Sequence, residues 1–330
     1  MRVLVTGGAG YIGSVFVKEL LSQGHVPVIL DNFSTGNEWA VLTENFYRGD
    51  TSDRDLVLQI LGKEDIDAVV HFAAFSLVGE SVKEPSKYFQ NNYVSALNIL
   101  DCMVEAGVKY FILSSTAAVY GMPEEQPIRE ESAKRPINPY GLSKSMLEDS
   151  LAWYSEAHGL TYTSLRYFNA AGADPELATG EAHLPETHLI PLVLQAYAGI
   201  RDKIIVNGRD YDTPDGTCVR DYIHVTDLAQ GHLLALDAML NGGPSIIYNL
   251  GTNNGFSVLE IIRSAEEVTG KKALTEYGKR RAGDPPVLVA DSSKIRMELG
   301  WKPKYEDPEF IISHAWQWLQ KAIEKGYIKT

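Results

Sequence analysis

Val3-Leu4-Val5-Thr6-Gly7-Gly8-Ala9-Gly10-Tyr11-Ile12-Gly13 opens the chain with an apolar run that breaks into a glycine-dense turn, and an amphipathic stretch, Val15 to Leu21, follows. Strand, tight turn and helix in that order begin a dinucleotide-binding βαβ unit. Both Gly8-x-Gly10-x-x-Gly13 and Gly7-x-x-Gly10-x-x-Gly13 are present. A turn without Cβ atoms lets a pyrophosphate approach the backbone, where the helix start offers free N–H groups and a positive dipole end. Val28-Ile29-Leu30-Asp31 reads as a second strand ending in an acid, eighteen residues after Gly13. That is near the spacing of a carboxylate that holds the adenosine ribose hydroxyls.

Asp31 narrows the cofactor. A carboxylate at the ribose would repel a 2′-phosphate, and Asn32-Phe33-Ser34-Thr35-Gly36 supply no cation to reverse this, so NAD is expected rather than NADP.

The pattern continues outward as an α/β chain. Asp67–Phe72, Tyr110–Leu113 and Thr161–Arg166 read as strands, and Tyr88–Ala106 and Tyr140–His158 as helices between them. Short apolar strands alternating with helices predict a Rossmann-type, doubly wound parallel sheet covered on both faces, with ligands beyond the carboxyl ends of its strands. We place this cofactor domain at residues 1–167, with a returning segment near 217–251 that contains the apolar run Ser245–Gly251. Residues 168–330 form a smaller mixed α/β substrate domain, with turns at Pro175, Pro185 and Tyr211–Gly216 and helices at Val258–Thr269 and Phe310–Lys325.

Composition bounds the partners. The net charge of −13 over 330 residues argues against nucleic acid and anionic membranes. No apolar run approaches the roughly 18 residues of a membrane span, and no signal-peptide core is evident near Met1. The two cysteines, Cys102 and Cys218, provide neither a disulfide framework nor a metal spacing. The expectation is a cytoplasmic protein without a metal.

Tyr140-Gly-Leu-Ser-Lys144 is the candidate catalytic pair. Positions i and i+4 share a helix face, which brings the ammonium near the phenol or near what the phenol binds. The pattern by itself is weak, since 17 tyrosines and 30 Lys plus Arg make about one match expected by chance. Context strengthens it: upstream, the strand from Tyr110 runs into Ser114-Ser115-Thr116-Ala117-Ala118-Val119-Tyr120-Gly121. Oxidising an alcohol needs a base for the hydroxyl proton while the dinucleotide takes the hydride. Free tyrosine, with a pKa of about 10, is a poor base at neutral pH, and lowering it by roughly three units takes about 4 kcal/mol of phenolate stabilisation. Lys144 and the positive nicotinamide ring are the expected sources, with Thr116 orienting the reacting oxygen.

At this point the chain resembles the extended short-chain dehydrogenases/reductases, and within them the nucleotide-sugar 4-epimerases, over nearly its whole length. The resemblance rests on Gly7–Ser14, Leu30-Asp31-Asn32, His71-Phe72-Ala73-Ala74, Val78-Gly79-Glu80-Ser81, Asn91-Asn92, Ser114–Gly121, Asn138-Pro139-Tyr140-Gly141, Arg166-Tyr167-Phe168-Asn169, Val219–Val225, Tyr248–Gly251 and Arg280–Asp284. It implies reversible C4 epimerisation of a UDP-hexose, UDP-glucose to UDP-galactose, through a 4-keto sugar with NAD as cofactor. It assigns Tyr11 and Ile12 to the pyrophosphate, Asp31 through Gly36 to the adenosine ribose, and Asp50 and Thr51 to the adenine. Phe72, Ala73, Ala74 and Asn91 would line the cofactor, with Phe168 near the nicotinamide. Thr116, Tyr140 and Lys144 would be catalytic, and Asn169, Arg220, Arg281 and Asp284 would hold the UDP-sugar. Two arginines suit a diphosphate and a carboxylate suits ribose hydroxyls.

Departures from the family pattern matter too. Thr116 replaces a serine and keeps the hydroxyl. Ser76 stands where some members carry a lysine. Leu288, of intermediate size, stands where members admit or exclude an N-acetyl group, so epimerases of UDP-N-acetylglucosamine or UDP-glucuronate are the nearest rivals. A 4,6-dehydratase would carry an Asp-Glu pair where Ala117-Ala118 follow Thr116. A non-catalytic NAD-sensing regulator would have no need of Thr116, Tyr140 and Lys144 together. Apolar residues on more than one side of Tyr88–Ala106 and Tyr140–His158, helices through which relatives pair, suggest a homodimer.

Overall fold

The parallel sheet expected from the strand pattern has seven strands, ordered Ile246–Leu250, Thr161–Tyr167, Tyr110–Thr116, Ala68–His71, Arg2–Thr6, Val26–Asp31, Phe46–Arg48. Every neighbouring pair is parallel. The computed structural model describes residues 1–281 and 284–328; Ala282 and Gly283 of the arginine motif, together with Lys329 and Thr330, lie outside the described residues. The first strand sits between the second and the fourth, so the chain reverses direction across the sheet at Arg2–Thr6. A ligand crevice opens at such a reversal, and the glycine turn faces it.

Apolar helix faces close both sides. On one, Val15, Phe16 and Leu20 pack with Leu228, Leu233 and Leu236 of the helix Val225–Leu240. On the other, Val57 and Ile60 meet Ile99, Leu100 and Met103, with Leu147 and Leu151 beside them. A third core joins the helices Leu189–Tyr197, Val258–Thr269 and Pro308–Glu324 through Val193, Leu194, Ile261, Ile311 and Ile312.

Three expectations need refinement. The strand expected over Tyr110–Leu113 continues to Thr116, because Ser114–Thr116 stay paired with Leu165–Tyr167. The candidate catalytic hydroxyl is thus held by a strand end. The helix expected from Tyr88 begins at Pro85, widens into a π turn over Phe89–Val94 and resumes from Ser95 to Ala106. Inside that turn Asn92 accepts from the Phe75 N–H at 2.8 Å and donates to its carbonyl at 2.9 Å, tying the helix to the loop after the fourth strand. Wide turns of this kind gather at functional sites. The returning strand pairs in register with Thr161–Tyr167, but Val219–Arg220 joins Phe256–Ser257 and Val287–Leu288 in a small separate sheet. Ile295 and Trp301, far along the chain, also enter the core under the first sheet.

Candidate active site

The glycine turn is a cradle that side chains would fill. Gly7 has φ +72°, and a Cβ there would sit 2.7 Å from the Ala73 nitrogen; one on Gly13 would sit 2.2 Å from the Gly7 carbonyl oxygen. Gly10 precedes the helix Tyr11–Ser22 in an extended conformation with no side-chain cap, leaving the first N–H groups to a ligand. Phe72-Ala73-Ala74 cross directly over this turn. A narrow cleft lies between Ala9, Gly10 and Tyr11 and the segment Thr35–Ala40, with Gly180, Ala182 and His183 along its edge. Asp31 is buried and accepts from the Ala9 and Phe33 N–H groups at 3.0 and 2.8 Å. Burial raises its pKa, and those two bonds oppose the rise. The loop behind it is pinned by Ser34 donating to Asn32 and by the Asn32 amide donating to Asp50 at 2.7 Å. Asp50 also accepts from the Ser52 N–H and hydroxyl, and its pKa falls: burial pushes it up, but these bonds outweigh it. Thr51 is buried, its carbonyl taken by Asn98. Gly36 packs under Asp31, where a Cβ would lie 2.9 Å from the carboxylate.

The sequence reading found no cation near this loop; the fold supplies one. Arg48, at the end of the outermost strand, lies 4.9 Å over the Phe33 ring. Glu38 pairs with it at 3.1 Å and offsets its charge, so the site still disfavours a 2′-phosphate through Asp31.

Thr116, Tyr140 and Lys144 converge where the strand Tyr110–Thr116 meets the helix Pro139–His158. Asn138 caps that helix by accepting from the Gly141 N–H at 2.8 Å, and Pro139 occupies its first turn. The close approach is possible because Gly141 lacks a Cβ, which would lie 2.5 Å from the Ala118 carbonyl oxygen. Thr116 accepts from the Ala118 N–H at 3.1 Å, and its side chain faces the Tyr140 phenol. Lys144 is 1% exposed and donates to the Ser114 carbonyl at 2.7 Å. Burial draws its pKa down to about 7 against the pull of Glu148.

The protein by itself raises the Tyr140 pKa: burial pushes it up and the nearby Thr116 hydroxyl only moderates this. This refines the expectation that Lys144 depresses the phenol, because the buried ammonium is itself destabilised and is engaged by a carbonyl. Among the described residues, none brings the phenol down toward neutral pH.

The residues expected at the UDP-sugar also converge. The Arg220 guanidinium ion-pairs with Asp284, and Tyr211 donates to the same carboxylate at 3.3 Å. Asn169 donates to the Asp221 carbonyl at 3.1 Å. With its amide oxygen turned toward Arg281, Asn207 accepts from Nε and Nη2 of that arginine at 3.3 Å. Leu288 pairs in register with Arg220, and with Phe168 it packs against Ala117, Val119 and Tyr120, linking the Arg220–Asp284 cluster to the end of the strand Tyr110–Thr116.

Several contributors were not evident from the sequence. Tyr88 packs edge-on against Tyr140 at 6.4 Å and is fixed by Leu77 and Glu80. Glu148, one turn beyond Lys144, takes a bidentate bond from buried Arg166 at 2.9 and 2.7 Å and another from Ser115 at 2.6 Å. The Glu148–Arg166 and Tyr88–Tyr140 contacts join separate segments, so only the packing of helix against strand and helix against helix brings them together. The expectation of no metal weighed the cysteines alone; the fold gathers Glu181, His183, Glu186 and His188, whose signal was the repeated Glu-x-His.

The model of the NAD dependent epimerase/dehydratase family matches residues 3–251. The UDP-glucose 4-epimerase of Streptococcus mutans serotype c is 50% identical over 330 residues, 99% of either chain. A crystal structure of UDP-glucose 4-epimerase from Brucella ovis in complex with NAD is 46% identical, with a TM-score of 0.94 over 96% of this chain and 97% of that one. The UDP-glucose-4-epimerase from Stenotrophomonas maltophila, solved with bound NAD and formylated UDP-arabinopyranose, is 40% identical, with a TM-score of 0.95 over 99% of each chain.

Proposed function

The chain belongs to the NAD dependent epimerase/dehydratase family, and from that premise we infer that it interconverts UDP-glucose and UDP-galactose by epimerising the hexose at C4. The observation that carries the reading is the meeting of Thr116, Tyr140 and Lys144 at one strand end, with Arg220 and Asp284 reached through Leu288. NAD, when bound along the glycine turn, accepts the C4 hydride and returns it.

Tyr140 takes the 4-hydroxyl proton as the carbonyl forms, and gives it back after the sugar has turned. Thr116 hydrogen-bonds the oxygen that alternates between hydroxyl and ketone. Lys144, whose pKa burial draws down to about 7, is held by the Ser114 carbonyl one helical turn from the phenol and would supply positive charge and a donor beside the dinucleotide when it is bound. Electrons balance within the site: one hydride leaves C4 and one returns to the opposite face, so no external oxidant enters. Arg220 and Arg281 grip the diphosphate, and Asp284 and Asn169 the nucleoside end. Binding energy placed there leaves the hexose free to rotate. Leu288, of intermediate size, packs beside the end of the strand Tyr110–Thr116 and is the position at which an N-acetylated hexose would be admitted or excluded.

The test uses the purified protein with its own nucleotide and UDP-galactose, without added NAD. UDP-glucose should accumulate toward equilibrium; its absence despite bound cofactor would reject the reading. Comparing turnover with UDP-N-acetylgalactosamine and UDP-glucuronate tests Leu288.

Among the described residues no helix is long and apolar enough to cross a membrane, and both cysteines are free. A reducing, cytoplasmic setting agrees with this. Pairing through the helices Ser95–Ala106 and Pro139–His158 is the proposed assembly: Val94, Leu142 and Trp153 expose apolar surface there, Trp153 to 70%. Analytical ultracentrifugation showing only monomer at micromolar concentration would refute it.

A further inference from the structure

We propose that Glu181, His183, Glu186 and His188 form a binding site for one divalent transition-metal ion of the zinc class, which fastens the segment 181–188 to the cofactor turn. The sequence Glu181-Ala-His183-Leu-Pro-Glu186-Thr-His188 bends back so that one donor atom from each residue lies within 4.8 Å of all the others. His183 Nδ1 is 2.9 Å and His188 Nδ1 2.8 Å from one Glu181 oxygen. Glu186 reaches His188 Nδ1 at 2.9 Å and His183 Nδ1 at 3.9 Å. Four ligands around a common centre is the arrangement of a closed tetrahedral site.

Charge and chemistry narrow the occupant. Glu181 and Glu186 are both buried, and among the described residues neither forms an ion pair with a lysine or arginine. Two buried carboxylates call for two positive charges. One source is a divalent cation with neutral imidazoles; the other is two imidazolium rings, their centroids only 5.2 Å apart, repelling each other. The first removes the like-charge contact. Two imidazole nitrogens and two carboxylates suit zinc and its neighbours, whereas calcium and magnesium require six or more oxygen ligands or several retained waters. The carboxylate of Glu186 is aimed beforehand, since one of its oxygens accepts the Thr187 and His188 N–H groups at 2.7 Å each. Such supporting bonds are typical of metal ligands.

The location indicates a structural role. His183 lies edge-on to the Tyr11 ring at 6.0 Å, and Tyr11, in the first turn after the glycine fingerprint, donates to the Gly172 carbonyl at 2.7 Å. His188 immediately precedes the helix Leu189–Tyr197 of the third core, and its side chain makes no capping hydrogen bond. A cation here ties the helix that starts at the cofactor turn to the helices beyond residue 188. With four protein ligands it has no open position for substrate, and none of the four side chains enters the epimerisation scheme.

The purified protein, with its nucleotide, is dialysed against a chelator and then titrated with Co²⁺. The expected result is about one equivalent bound with the intense visible bands of tetrahedral cobalt, displaced by Zn²⁺, and a melting temperature that Zn²⁺ raises and the chelator lowers. His183→Gln, at one of the two partly exposed histidines of the set, should retain the fold and weaken binding by about 100-fold or more, because losing outer-shell partners alone costs 10- to 100-fold. Its melting temperature should no longer respond to Zn²⁺. His188→Gln serves as a second variant with the same expected loss of the bands. No cobalt bands at micromolar metal, bands of six-coordinate cobalt only, or full binding by His183→Gln would overturn the proposal and leave a proton-balanced histidine–glutamate network.

Discussion

Replacing Lys144 with methionine should make the nucleotide-free protein more stable at pH 6 while abolishing turnover. The lysine is nearly inaccessible, and its one hydrogen bond among the described residues is to the Ser114 carbonyl at 2.7 Å. Burial lowers its pKa from an ordinary 10.5 to about 7, with Glu148 opposing the fall. The unfolded chain therefore holds this proton more tightly than the folded one. The resulting penalty is fully present below about pH 7 and is relieved as pH rises toward 10.5. At 1.36 kcal/mol per pH unit it amounts to about 5 kcal/mol at its largest. Methionine keeps the stem length and removes the charge, but it leaves the Ser114 carbonyl without a donor, which costs about 1–3 kcal/mol. The net gain at pH 6 is about 2–4 kcal/mol. Between pH 6 and 9.5 the advantage of the variant should shrink by about 3 kcal/mol, because wild type recovers stability there and the variant does not. Urea unfolding of both proteins at the two pH values measures this difference, and groups that titrate equally in both cancel. A variant less stable at pH 6, or a gap that does not move with pH, would refute the reasoning.

Tyr140→Phe keeps the packing against Tyr88 and removes only the hydroxyl, so turnover of UDP-galactose should fall about 10²–10⁴-fold while UDP-sugar binding persists, read by a coupled assay and calorimetry. Gly7→Ala places a Cβ 2.7 Å from the Ala73 nitrogen at φ +72°; the variant should lose about 2–4 kcal/mol and emerge from gel filtration depleted of NAD. Arg220→Ala leaves Asp284 without its cation and removes a diphosphate contact, which should raise KM for the UDP-sugar about 10- to 100-fold with NAD content unchanged. Glu148→Gln strips a buried guanidinium of its bidentate partner and should cost about 3–5 kcal/mol, visible as a lower melting temperature.

The sheet, its cofactor turn and the acid of its second strand were legible from the chain alone, because each is a local device. Gly7 and Gly13 permit a turn that other residues forbid, and the apolar runs around them have no stable place except inside a layered α/β core. The Tyr140–Lys144 pair was legible for the same reason, since a helix puts i and i+4 side by side. What these residues feel was not local. That the Lys144 pKa is lowered and the Tyr140 pKa raised comes from how completely the neighbouring elements exclude water. That Arg220 answers to Asp284, Glu148 to Arg166 and Arg48 to Glu38 depends on contacts between separate segments, which no local period encodes. The gathering of Glu181, His183, Glu186 and His188 lies between these cases: the alternation is written in eight consecutive residues, but only the folded bend turns it into four donors around one point. Sequence determines what a segment can do by itself; charge state and partnership belong to the packed molecule, because burial and Coulomb interactions act through space and not along the chain.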